Sequence, residues 1–600
     1  MKSKKLLWLF ALMLVLSLVL AACAGDGESD SEGESGESES GSEESGSEED
    51  SSESDSEDSE GEEASGGDGS NDVVLAVSSD IVSLDPHIEN DVPSSNVRDN
   101  IYETLVEQDS DMNIVEGLAT DWEQKDDTTW VFTLREGVTF HDGSDFTAED
   151  VKANLDRVLD PAVASPRAFL YDMVTEVNVL GDHELEIKTE YPFAPLLAHL
   201  AHDAGGVMSK DVIDADYENA ISEAGLDITL DEYYQARADG SEEYSRMEEN
   251  DEGEEVEAGY VADLAEYTGI HSAQNPIGTG YFKLEERQSG EKTVLSRYED
   301  YWGEPAKPST VTFKVVPEPS ARIAELETGE SHIVDPLQPT DVSRVESNED
   351  TRVNNQPSTS LSYIGFNVEK EPFDDPKVRQ AINLAINNEE IIEGIYQGNG
   401  TPATGPLAPG VFGYDESVKG LGYEPDQAKK LLEEAGYGDG FETTLWTNDN
   451  EQRVETALYV QDALSDYGID VQIEELEWGA YLERTSNGEH DMFVLGWSTV
   501  TGDADYGLYA LFHSEMVGSP GNRSFIKNDE LDKLLDEGRR ETDEQKRAEI
   551  YKEAQEKLTE LAPMLYIHHQ NYLTGVREEV ENFSVDTLGI YQLKDVTISE

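Results

Sequence analysis

Between Ala24 and Asp72 the sequence is almost entirely Ser, Gly, Glu and Asp, with no aromatic residue, no Lys and no Arg. Such a stretch has no apolar surface to bury, cannot offset the entropy of ordering its backbone, and is expected to remain a coil. Its 49 residues (72 − 24 + 1) reach about 40 Å as a flexible coil and further when the carboxylates repel one another. It therefore acts as a tether, and any fold must be built from residues 73–600.

The residues before the tether have a different character. A basic tip at Lys2, Lys4 and Lys5 precedes an apolar run from Leu6 to Leu20 and the small residues Ala21, Ala22 and Cys23. The run is shorter than a spanning helix requires and ends at a cleavage-type site, so residues 1–22 are expected to be an export signal. Cys23 is the only cysteine in the chain, which rules out an intrachain disulfide and a thiolate metal cluster. The tetrad Leu20-Ala21-Ala22-Cys23 resembles the lipobox of bacterial lipoproteins, which implies a diacylglycerol on the Cys23 thiol and a location at the extracellular face of the cell membrane. Two acyl chains hold a protein at a membrane that one holds only marginally.

The formal net charge is −91, from 132 acidic and 41 basic residues. The tether holds 21 of the acids and the signal three of the bases, leaving 132 − 21 = 111 against 41 − 3 = 38, or about −73 on residues 73–600. Self-repulsion on that scale opposes compaction at low salt and is screened at about 1 M, where the Debye length falls to about 3 Å. A salt-loving host is expected, and nucleic acid is an improbable partner.

Residues 73–600 exceed what one hydrophobic core accommodates, so at least two lobes are expected. Strand-like runs at Val73–Val77, Thr129–Leu134, Val311–Val316, Met492–Trp497 and Met564–His568 alternate with amphipathic helices, which predicts an α/β architecture. Thr147 and Asp150 form a capping-box pattern ahead of Val151, Leu155 and Val158, and Pro161 stops that helix. Asp375-Pro376 opens another helix, and Pro425 opens a third that Gly436 ends. The acidic segment 212–267 has the character of a surface insertion. No repeat with a period of 20–50 residues is present.

The constellations of common enzymes are missing: no phosphate-binding G-x-x-x-x-G-K-[ST] loop, no G-x-S-x-G elbow, no H-E-x-x-H helix. His199/His202 and His568/His569 are the best metal candidates, but they lack an evident ligand partner in sequence, and polar or packed histidines are the simpler reading. No catalytic residue, metal or cofactor is expected.

An ordered series of blocks carries more information. N-I-Y-E-T-L-V from Asn100, G-L-A-T-D-W-E from Gly117, F-T-L-R-E-G-V-T-F-H-D-G from Phe132, N-P-I-G-T-G-Y-F from Asn275, D-Y-W-G from Asp300 and V-R-Q-A-I-N-L-A-I from Val378 are followed by E-W-G-A-Y-L from Glu477, G-E-H-D-M-F-V-L-G-W from Gly488 and N-D-E-L-D-K-L-L from Asn528. The series, together with L-D-P at Leu84, resembles family 5 of the extracellular solute-binding proteins, which serve ABC importers of peptides, dipeptides, glutathione and nickel. The resemblance implies a two-lobed, type II periplasmic-binding-protein-like fold of cluster C, with mixed sheets and a hinge. Lobe I would comprise 73–335 and 567–600, lobe II 336–566, with crossings near Asp335 and Ile567 and the ligand enclosed between the lobes.

It also implies a function: capture of a peptide outside the membrane and delivery to permease and ATPase subunits, with a peptide-pheromone receptor or a nickel- or haem-binding importer component as alternatives. In dipeptide-binding relatives an aspartate three residues after the G-W tryptophan holds the ligand ammonium. Val500 stands there in this chain, and the local sequence G-W-S-T-V-T-G-D-A-D-Y looks more like the glutathione-binding branch. Asp503 and Asp505 are then the nearby carboxylates. Tyr363, Trp497, Ser498, Thr499 and Thr501 are expected in the cleft, with core packing as the alternative for the aromatics. Arg453, following Leu445-Trp446, is the candidate for the ligand carboxylate.

Overall fold

The capping box is where the sequence placed it. Thr147 N–H donates to Asp150 Oδ2 at 2.9 Å, the helix runs Ala148–Val158, and Val151, Leu155 and Val158 turn into the core. Asp375 caps the helix Pro376–Ala385 by accepting from Lys377 N–H, and Pro425–Ala435 ends at Gly436 with φ 89°, a left-handed angle that glycine adopts without a Cβ penalty. The structure, a computed structural model, describes residues 71–599 apart from 89–90, 110–111, 240–244, 250–254, 260 and 519–520, and only the backbone of 245–249 and 255–259. The export signal, Cys23 and the acidic tether up to residue 70 lie outside the described residues, while Asp72, counted into the tether, opens the strand Asp72–Val77.

These elements assemble into a mixed α/β protein around a 12-stranded sheet. Its order is Phe282–Gln288, Lys292–Arg297, Thr310–Val315, Asp72–Val77, Ile333–Asp335, Met564–Arg577, Ser360–Phe366, Met492–Ser498, Glu442–Asn448 and Asp470–Leu476, with Thr351–Pro357 and Gly400–Pro402 also paired to Met564–Arg577. The strand expected at Met564–His568 continues for 14 residues to Arg577. Its first part pairs with Ser360–Phe366 and its second with Thr351–Pro357 and Ile333–Asp335. It thus runs through both halves of the sheet.

The apolar clusters divide in the same way. On one side pack Val73, Leu75, Phe282, Leu295, Val311, Ile333 and Val576, with Ile323, Leu326 and Leu573 beyond. A further cluster there, including Phe132, Phe140, Leu185 and Ile187, covers the four-stranded sheet of Ala119–Asp126, Thr129–Leu134, Glu184–Thr189 and Val174–Gly181. On the other side, Tyr363, Trp446, Phe493, Leu495 and Tyr551 pack on one face of the sheet, and Ile364, Phe366, Ile382, Val460 and Val494 on the opposite face. The alternation of Tyr363 with Ile364, and of Phe493 with Val494, follows from the two-residue period of a strand buried on both faces.

The parts of the segment 212–267 whose side chains are described, residues 212–239 and 261–267, depart from the surface insertion expected of it. In the helix Lys210–Glu223, Val212, Ile213, Tyr217, Ala220 and Ile221 are buried, as are Tyr233 and Leu264. Asp216 accepts from Arg157 at 2.9 Å inside the core. Abundant acids disguise a helical stripe that packs inward.

Several resembling blocks meet in space. Gly280 N–H donates to the Ile101 carbonyl and Phe282 N–H to the Asn100 carbonyl, while His141 N–H donates to the Gly278 carbonyl. A Cβ on Gly278 would lie 2.1 Å from the Ile101 carbonyl oxygen, so the backbones can approach only because glycine is there. Among the described residues, no helix is long and apolar enough to cross a membrane.

Candidate functional site

The strand Met492–Ser498 delivers Trp497 and Ser498 to its carboxyl end, and Thr499–Gly502 leads into the helix Ala504–Phe512. Trp497 stacks on Tyr506 (ring centroids 5.3 Å), which stacks on Phe169 (5.9 Å). Phe169 comes from the other half of the molecule. The same segment is touched from that half by Gln108, whose Nε2 donates to the Thr501 carbonyl at 2.8 Å. Ala194 N–H also reaches across, donating to the Arg539 carbonyl at 2.9 Å. Gln108 and Phe169 thus contact the segment 497–506, and Ala194 the helix end at Arg539.

Asp503 and Asp505, the carboxylates expected to face the ligand, are instead committed to arginines of the same half. Arg547 donates to Asp503 Oδ1 and Oδ2 at 2.6 and 2.7 Å, and Arg539 donates to Asp505 Oδ1 and Oδ2 at 3.0 and 2.9 Å. Both aspartates are buried. Burial alone would raise the Asp505 pKa, but Arg539 holds it below the usual carboxylate range. Asp503 also caps the next helix, accepting from Asp505 N–H at 2.8 Å. With both oxygens of each carboxylate engaged by an arginine, neither is a free acceptor for a ligand ammonium; they set the direction of the helix and loop beside it.

Tyr363 is fully buried, edge-on to Phe493 (5.8 Å, 85°), and its hydroxyl has no hydrogen-bond partner among the described residues. Burial pushes its pKa up to about 12, while Arg523 and Arg453 pull the other way. Tyr481, whose hydroxyl donates to the Val494 carbonyl at 2.7 Å, is likewise raised by burial, with Tyr363 adding and Arg453 and Arg523 opposing. Arg453 and Arg523 thus both oppose the upward shift at these two phenols.

Arg453 sits in the first turn of the helix Glu451–Ser465, capped by Asn450. Its Nη1 donates to Asn448 Oδ1 at 3.0 Å, the guanidinium lies 5.5 Å from the Trp478 ring, and a Cβ on Gly496 would stand 3.5 Å from Nη2. It therefore rests against the backbone just before Trp497. Trp497 Nε1 and Thr501 Oγ1 are buried without a partner among the described residues, and Thr499 is buried with its hydroxyl against Gly507. Ser498 lies opposite Ser360 in the strand register.

Arg523 belongs to no motif that marks it in the sequence. It is 8% exposed, its Nε has no partner, and among the described residues its guanidinium donates no hydrogen bond and faces no carboxylate. The available signal is charge context: from Thr485 to Asn522 there is no Lys or Arg, so Arg523 is the first permanent cation after the G-W motif.

The histidine pairs are separated by their partners. His199 Nδ1 is 2.8 Å from the Leu170 carbonyl, and His202 is held between Arg167 (2.8 Å) and Asp203 (2.8 Å). His568 packs on Tyr396 (4.1 Å), whereas His569 Nδ1 faces the Ser360 carbonyl at 2.9 Å. Trp302 is packed, with Nε1 on Glu103 at 3.0 Å and Arg135 over the ring at 4.1 Å.

Residues 113–519 match the model of the bacterial extracellular solute-binding proteins, family 5 Middle. The chain belongs to this family. As a solute-binding protein it is 30% identical over 524 residues to the dipeptide-binding protein of Escherichia coli K12, covering 83% of this chain and 89% of that one. It is 32% identical over 523 residues to the glutathione-binding protein GsiB of Salmonella typhi, covering 84% and 92%. Among solved structures it resembles the ABC transporter-associated periplasmic binding protein DppA of Helicobacter pylori in complex with the peptide STSA, with a TM-score of 0.70, 29% identity, and coverage of 88% of this chain and 98% of that one.

Proposed function

We propose that this solute-binding protein is the lipid-anchored receptor of an ABC importer, capturing peptides outside the membrane and handing them to a permease and its ATPase. The observation that carries the peptide reading is that Arg453, resting against Gly496, and Arg523, two residues after the Gly521 turn that meets Trp497, have no carboxylate partner among the described residues. Cationic donors without protein carboxylates suit a ligand that brings its own, and main-chain hydrogen bonds with terminal charges hold extended peptides without demanding one side-chain sequence. The dipeptide- and glutathione-binding relatives and the peptide-bound structural neighbour support the same class.

In this reading residues 73–335 with 567–600 form one lobe and 336–566 the other, hinged near Asp335 and Ile567, and closure traps the ligand against Trp497–Thr501. Tyr363, Arg453, Trp497, Ser498, Thr499 and Thr501 contribute to that cleft. Asp503 and Asp505 shape it through Arg547 and Arg539. Cys23 carries the lipid, residues 24–72 span part of the cell envelope, and the charge of the folded part suits a saline exterior. A Cys23→Ser substitution that leaves the chain in the membrane fraction would remove the anchor from this account.

The test of the class is native mass spectrometry and thermal shift on the full chain in high salt, against di- to pentapeptides and glutathione, with nickel and haem as competing probes. Saturable shifts with peptides or glutathione are expected. Silence across the peptides with a response to nickel or haem would overturn the proposal.

A further inference from the structure

Arginines buried among the described residues are otherwise matched. Arg98 and Arg167 face Asp203, Arg157 faces Asp85 and Asp216, and Arg547 faces Asp503. Arg322 donates to the carbonyls of Val316, Pro317 and Pro336, and Arg379 to those of Phe373 and Leu561. Only Arg523 has neither kind of partner among the described residues. A chain with 132 acidic and 41 basic residues has no shortage of carboxylates to place beside it. Burying an unpaired guanidinium is costly, and such a group is retained where its counter-charge arrives from outside.

Arg453 is the second cation without a carboxylate partner in the same neighbourhood. Its contacts are an amide, an indole face and the Gly496 backbone; the next residue, Trp497, packs on the turn that leads into Arg523, a Cβ on Gly521 lying 3.3 Å from its ring, and Arg523 N–H donates to the Gly521 carbonyl at 2.8 Å. Asp503 and Asp505, the acids nearest in sequence, are held by Arg547 and Arg539 and do not neutralise the pair. We infer that the cleft selects peptides bearing two carboxylates, Arg453 receiving one and Arg523 the other. This deepens the peptide reading and rests on it. A ligand with a single carboxylate would leave one guanidinium desolvated and unpaired in the closed protein, which penalises it relative to its dicarboxylate analogue.

The experiment compares isosteric ligands by titration calorimetry on the full chain at fixed high salt: Ala-Ala-Glu against Ala-Ala-Gln, and Glu-Ala-Ala against Gln-Ala-Ala. In at least one pair the acidic member is expected to bind roughly tenfold or more tightly, the scale of one charge-assisted hydrogen-bonded contact. Arg523→Gln should erase that preference, the acidic member losing more affinity than its amide analogue, and Arg523→Lys should keep part of it. Because the ligand pairs are read first on the unaltered protein, the test survives a variant that folds poorly. Equal affinities within both pairs, or an equal loss for both members in Arg523→Gln, would overturn the two-carboxylate inference while leaving peptide binding intact. If no tripeptide binds the unaltered protein at all, the peptide reading fails and this inference with it.

Discussion

Asp503→Asn separates two readings of the carboxylates just after the G-W motif. The side chain is buried, and both oxygens receive Arg547 at 2.6 and 2.7 Å. Asparagine keeps the shape and the helix-capping carbonyl oxygen but leaves the Arg547 guanidinium without its counter-charge, at a cost of about 3–5 kcal/mol for a buried pair broken on one side. Unfolding entropy of about 2.1 cal/mol/K per residue, over the 530 residues from 71 to 600 (600 − 71 + 1), amounts to about 1.1 kcal/mol/K. For cooperative unfolding Tm should then fall by about 3–5 °C. Scanning calorimetry in high salt reads this directly, and Asp503→Asn with Arg547→Met together should recover a substantial part of the loss, since the uncompensated charge is gone. Peptide affinity of the folded variant should stay within about threefold, because the carboxylate touches its arginine and not the ligand. A variant with unchanged Tm and a tenfold or greater loss of affinity would show that Asp503 is a ligand contact and that its pairing with Arg547 is incidental.

Acid should weaken the fold through buried neutral histidines. Burial depresses His87 and His568 to about 3 and His490 and His569 to about 4. Unfolded histidines take up protons near 6.5, so this contribution is complete above 6.5 and is lost as pH falls towards 4, by about 1.4 kcal/mol per pH unit for each. Urea midpoints at about 1 M salt should track this, and His568→Phe should flatten the slope; an unchanged slope would remove His568 from the explanation. Gly278→Ala places a Cβ 2.1 Å from the Ile101 carbonyl oxygen, a backbone atom that cannot swing away, so a loss of at least about 3 kcal/mol or failure to fold is expected on expression and calorimetry. Tm of the full chain should rise between very low salt and about 1 M as repulsion is screened, and a flat profile would sever the acidic composition from a saline habitat.

Elements governed by neighbours in sequence are legible without the structure. The Thr147/Asp150 box, Pro376, Pro425 and Gly436 act through bonds to residues at most four positions away, and the alternation at Met492–Ser498 is a property of the strand itself. The ordered blocks disclose the family, and with it the fold class. The acidic segment 212–267 misleads because Asp and Glu look like surface residues. Yet in Lys210–Glu223 the spacing of Val212, Ile213, Tyr217, Ala220 and Ile221 is the inward signal, and Asp216 is one acid that the core uses.

The site is less legible, because its electrostatics are decided by pairings that carry no period. Asp503 and Arg547 stand 44 positions apart, and Asp505 and Arg539 stand 34 apart, so nothing local says that the two aspartates are already neutralised. The same blindness hides Arg523, which looks ordinary until its surroundings are known and is notable only because each other buried arginine among the described residues is matched. In a chain this acidic a carboxylate near the cleft is weak information, since most positions could supply one. A buried cation that no described carboxylate accompanies is strong information, and the ligand's own charge should be sought there.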